Sequence, residues 1–122
     1  MRAPTTTYGH LEITQTLVRL YIFLTQKLDR CLSEGQSPAY PDQELQAQIA
    51  STRAEMMEIL SVNRVVKEKV DQECQRVYAL EAACRKDGAD KVTAMREVTA
   101  ERAELKSKTA ALSDLLAVFR AA

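Results

Sequence analysis

"LQAQIASTRAEMMEILSVNRVVKEKVDQECQRVYALEAAC", Leu45 to Cys84, contains neither Gly nor Pro. Along it Leu45, Ile49, Thr52, Met56, Ile59, Asn63, Val66, Val70, Glu73, Val77, Leu80 and Cys84 follow one another at alternating spacings of four and three. That alternation is the seam of a coiled coil, in which one stripe of a helix faces a partner throughout. Read as one helix, the stretch sets the length and shape of everything packed around it.

Breakers outside the stretch divide the chain. Pro4 and Gly9, then Gly35, Pro38 and Pro41, then Gly88 leave three uninterrupted segments, so the fold class is all-α with helices over about 10–33, 41–86 and 90–120. Pro41 suits a first helical position, and Gly88 suits the left-handed conformation that ends a helix. No run alternates apolar and polar residues as a strand would. The whole of 1–122 is expected to be one helical domain.

The third segment carries its own seam through Lys91, Met95, Val98, Arg102, Leu105, Thr109, Leu112, Leu116 and Phe119. Two long helices joined by a short turn fold back on one another, so the second and third segments are expected to form an antiparallel coiled-coil hairpin. A turn centred on Asp87 and Gly88 places Leu80 beside Met95, Val77 beside Val98, and Glu73 beside Arg102. Glu73 and Arg102 are therefore the expected ion pair that sets the register.

The first segment is more apolar than one seam needs. Ile13, Leu17, Leu20, Tyr21, Leu24, Leu28, Cys31 and Leu32 make an ordinary core stripe, while Leu11, Val18 and Ile22 form a second ridge on one flank and Phe23 points to the other side. A straight second helix would be about 67 Å long at the α-helical rise, and the two flanking helices would overlap along it for barely two turns. Either it breaks near Ser61 to Arg64 and the three helices close into a compact bundle, or a second chain fills the open side as a homodimer or hetero-oligomer. In the second case Leu11, Val18, Ile22 and Phe23 are the partner surface.

Function classes narrow by what the residues can do. Seventeen basic residues balance seventeen acidic ones. No net field gathers nucleic acid or an anionic membrane, and neither partner is expected. The apolar run Leu17–Leu28 is too short to span a bilayer and contains Arg19. "MRAPTTTYGH" has no apolar core after Arg2, so secretion and lipid anchoring are not expected and a cytoplasmic protein is. Cys31, Cys74 and Cys84 are odd in number and lack CxxC spacing, as in reduced structural cysteines. His10, the single histidine, stands at the start of a helix without a nucleophile beside it. No phosphate-binding glycine motif or ligand cluster is present, so no catalytic residue, cofactor or metal is expected.

The hairpin sequences "VVKEKVDQE" (Val65 to Glu73), "KDGAD" (Lys86 to Asp90) and "MREVTAERAELKS" (Met95 to Ser107) resemble the tubulin-folding cofactor A family of small helical chaperones. In an alternative register, "YPDQELQAQIASTRAEMMEI" (Tyr40 to Ile59) is similar to that family's second helix. The family's paired lysines and "MIPD" element have no counterpart. The resemblance implies a cytosolic, non-enzymatic protein that captures β-tubulin through helical faces during tubulin folding. The alternative is a coiled-coil scaffold subunit of a cytoskeletal, tethering or kinetochore-type complex.

Overall fold

The computed structural model describes residues 9–33, 43–61, 63–84 and 88–121, and the expected turn residues Gly35, Pro38, Pro41 and Asp87 lie outside them. The described residues are helical apart from short turns and contain no strand. Among the described residues four helices are present in place of the expected three: α1 (His10–Ser33), α2 (Gln43–Ile59), α3 (Arg64–Cys84) and α4 (Ala89–Ala121).

The long second helix is broken between Leu60 and Asn63, within the segment flanked by Ile59 and Arg64. The bonds there explain the stop. Leu60 N–H still donates to the Met56 carbonyl in the α pattern, but Ser61 donates to Glu58 and Asn63 to Leu60, which are tighter three-residue turns. Asn63 is not a seam residue. Its side-chain Oδ1 accepts from Val66 N–H at 3.3 Å, and its carbonyl begins the next α ladder by accepting from Lys67. An asparagine satisfying the free amides of a first turn is an N-cap, so α3 starts where the heptad reading put a core position.

The break doubles the chain back. Arg53 on α2 and Asp71 on α3 are 18 residues apart and hydrogen-bonded, with Arg53 Nε donating at 2.9 Å. On a straight helix they would stand about 27 Å apart. A pairing of Cys84 with Met95, Arg76 with Glu101, and Glu73 with Lys108 runs α3 and α4 in opposite directions. α1 lies antiparallel to α2 through Arg19–Glu55 and Lys27–Gln46, and parallel to α3 through Tyr21–Glu73 and Lys27–Glu81. Its broadest packing is on α4, whereas the backbones of α2 and α4 stay apart. All four helices thus alternate in direction, with α1 touching the other three.

This central placement accounts for the apolar excess of α1. Leu20, Leu24 and Leu28 are fully buried and Tyr21 nearly so, with Ile13, Leu17, Phe23, Cys31 and Leu32 packed against the same core. Burying a leucine side chain contributes about 2 kcal/mol. Along α2 and the turn after it the buried set is Leu45, Ile49, Thr52, Met56 and Leu60, and on α3 it is Val70, Cys74, Val77, Leu80 and Cys84. Two seam positions are therefore displaced by one residue, one just before the break and one within α3. Ile59 and Glu73 are only partly buried, because Leu60 and Cys74 turn inward instead.

At the other reversal Gly88 has φ of +97°, which only glycine adopts at little cost, and its carbonyl accepts from Lys91 N–H to open α4. Within the helices Thr16, Thr25, Thr52, Thr99 and Thr109 each return their hydroxyl to the carbonyl four residues back. At the buried Thr16 and Thr52 that bond removes the cost of an unsatisfied hydroxyl between packed helices. Among the described residues no buried side-chain nitrogen or oxygen lacks a partner.

Candidate functional site

Polar groups are drawn into the helix interfaces at three levels. Lys27 is 3 % exposed yet charged in character, and it is held from three sides. Its Nζ reaches Glu81 Oε2 at 2.8 Å, donates to Gln46 Oε1, and sits 5.5 Å from the centre of the Tyr78 ring. One ammonium thereby ties α1 to both α2 and α3. Desolvating it is expensive, and the carboxylate, amide and ring face together offset that cost. Lys27 falls in phase with Leu20, Leu24 and Cys31, so its inward direction was readable from spacing alone.

At the second level Glu73 accepts from the Tyr21 hydroxyl at 2.5 Å and from Lys108 Nζ at 2.8 Å. Burial, reinforced by the Glu73 carboxylate, pushes the Tyr21 phenol well above its ordinary range, and the hydrogen bond to Glu73 likewise raises Lys108. At the third, Arg76 Nε donates to Glu101 Oε1 at 2.7 Å, with Glu101 itself only 4 % exposed. Glu101 occupies the 94, 98, 101, 105 phase of α4, a stripe the heptad reading did not follow. Each carboxylate is thus matched to a donor on another helix, an arrangement that fixes how the helices sit relative to one another.

The expected Glu73–Arg102 pair is not formed. Arg102 Nε instead donates to Asp29 on α1, and Glu73 turns to Tyr21 and Lys108. The reason is the placement of α1. Because α4 packs most broadly on α1, Arg102 reaches an acid on α1 rather than one on α3.

The proposed partner-surface residues divide. Leu11 and Ile22 are exposed on α1, whereas Phe23 is half-buried against the core. Val18 is half-buried in an open cleft of about 470 Å³, lined also by Arg19, Glu55, Ile59, Leu116 and Arg120. Exposed apolar residues not singled out from sequence add to them. Val65 in the first turn of α3 is 64 % exposed, and Val118 near the end of α4 is 63 % exposed, with Leu115 one turn before it. With the helices alternating in direction, Leu11, Val65, Leu115 and Val118 lie toward one end of the molecule, beside the cleft that holds Val18.

Among the described residues no three His, Cys, Asp or Glu side chains are grouped to hold a metal ion. No described helix is long and apolar enough to cross a membrane. His10 opens α1, as its position implied. Comparison of the chain with protein-family models, with curated proteins and with solved structures returned no match.

Proposed function

We propose that the protein is a non-enzymatic helical module, a four-helix antiparallel bundle that takes a protein partner against the end where α1 and α3 begin and α4 finishes. The observation that carries this reading is the gathering of Leu11, Val65, Leu115 and Val118 at that end, next to the Val18 and Leu116 cleft. Apolar side chains left in water on a helical frame are favourable to cover, and the charged Arg19, Glu55 and Arg120 at the cleft rim would orient what covers them. β-Tubulin is the partner that the resemblance to tubulin-folding cofactor A implies, with the protein acting as a cytoplasmic chaperone in tubulin folding.

The second reading is a subunit of a larger cytoskeletal, tethering or kinetochore-type assembly. It is favoured by the fourth helix, which departs from the three-helix order that the cofactor resemblance implies.

The test is titration of purified tubulin into the full chain, monitored by light scattering. A compact monomer that binds tubulin, with Val18→Ser and Leu115→Ser each weakening binding about tenfold or more at unchanged melting temperature, supports the chaperone reading. A stably folded chain indifferent to tubulin removes it. Self-association that the same two substitutions abolish supports the assembly reading instead.

A further inference from the structure

Three sulfur atoms meet where the C-terminal ends of α1 and α3 approach the start of α4. Cys84 Sγ lies 3.7 Å from Met95 Sδ, and the Cys31 and Cys84 thiols are close enough that each shifts the ionisation of the other. The contact is not an isolated coincidence of side-chain placement. Tyr21–Glu73 and Lys27–Glu81 climb the parallel α1–α3 interface in step, and continuing that register by about one turn brings Cys31 level with Cys84. Cys74, by contrast, lies about 15 Å further down α3 and is fully buried.

We propose that Cys31 and Cys84 are a redox-sensitive pair, joined by a disulfide under oxidation and released by thiols. A peroxide is the chemical class of oxidant. Cys31 is the more accessible of the two, so after shedding its proton its thiolate attacks a peroxide oxygen, the O–O bond breaks, the departing hydroxide takes up that proton as water, and a Cys31 sulfenic acid results. The Cys84 sulfur, after giving up its proton, displaces the hydroxyl from Cys31 sulfur. The S–S bond forms, the S–O bond breaks, and a second water leaves. Two electrons pass from the thiol pair to the peroxide. Disulfides demand close, correctly directed cysteines, and the shared register of α1 and α3 brings the two to one level.

The consequence is a covalent tie between the central helix and α3 at the end of the molecule opposite the exposed apolar cluster. Both thiols are held protonated, mainly by burial: Cys31 is pushed up to about 11 and Cys84 is raised. The charged groups facing them are Lys27 on α1, Glu81 on α3 and Lys91 on α4, while α2 presents the neutral Gln46 to Lys27. The pair is accordingly slow to react near neutrality and quickens as pH rises.

The experiment treats the folded full chain with hydrogen peroxide, blocks remaining thiols with an alkylating agent, and maps peptides by mass spectrometry. A cross-linked Cys31–Cys84 peptide is expected, together with retention of a free Cys74 thiol, a higher melting temperature, and reversal of both by dithiothreitol. Cys31→Ser and Cys84→Ser each abolish the cross-link, and Cys74→Ser leaves it. Over-oxidation of Cys31 without a bridge, an intermolecular Cys31 dimer, or a cross-link that involves Cys74 would each overturn the proposal.

Discussion

Arg102 on α4 is bonded to Asp29 on α1, across an interface that joins residues 73 positions apart, and not to Glu73 on α3. The bond marks which neighbour α4 chose. A hairpin of two helices would have set the register through its own charges, whereas here α1 supplies the acid and the hairpin's glutamate is taken by Lys108 and Tyr21.

A pair of double-mutant cycles separates the two arrangements. Both Arg102 and Asp29 are partly exposed, so Arg102→Glu should cost only about 0.5–1 kcal/mol by denaturant melt. Adding Asp29→Arg should recover most of that loss. Adding Glu73→Arg to Arg102→Glu should instead be additive or worse, since those two side chains share no bond and Glu73 loses both of its own. Recovery by Glu73→Arg would contradict the structure.

Lys27 offers a second measurement. Lys27→Ala leaves Glu81 and Gln46 without the ammonium they both address, in a region where Lys27 is almost completely covered. The expected loss is about 3 kcal/mol. Replacing the ion pair with apolar groups, Lys27→Met with Glu81→Leu, should restore stability to within about 1 kcal/mol of the starting protein. A double variant as unstable as Lys27→Ala would show that the charges contribute more than packing of the same volume.

The break between α2 and α3 can be tested at its cap. Asn63→Ala removes the acceptor for Val66 N–H and should destabilise the protein by about 1 kcal/mol, whereas Asn63→Ser or Asn63→Asp should keep most of it. Equal behaviour of the alanine and aspartate variants would mean that the side chain does not stop the helix.

Alkaline pH should weaken the fold. Burial raises the Cys31 and Cys74 thiols from about 9 to about 11, and raises the Tyr21 phenol further. Between pH 9 and 11 the unfolded chain sheds these thiol protons while the folded chain retains them, so the unfolded state binds fewer protons and stability falls as pH rises. Below pH 9 the contribution is fully present. Urea midpoints measured from pH 7 to 11 should be flat at first and then decline, less steeply for Cys74→Ser; a midpoint constant to pH 11 would contradict the burial of these groups.

Read from the chain, the all-α class, the ends of α1 and the position of the Gly88 turn were all legible, because they depend on local chemistry. Helix periodicity needs only neighbours three and four residues apart, a glycine at positive φ needs only its missing Cβ, and the core stripe of α1 needs only its spacing. The break at Leu60 to Asn63 was legible as one of two outcomes. Its deciding feature, the Asn63 side chain serving α3 rather than filling a seam, could not be separated from a polar seam position by spacing.

What tertiary structure alone decided is the choice of partners. Periodicity says that Glu73 and Arg102 face inward, but several helices can lie on the inner side, and the one that does is set by how apolar volume closes around α1. Once α1 takes the centre, Leu60 and Cys74 replace Ile59 and Glu73 as buried positions, Lys27 pairs with Glu81, and Arg102 pairs with Asp29. Charge pairing is short in range and follows packing, whereas packing is a property of the whole set of helices and is written in no single stretch of the chain.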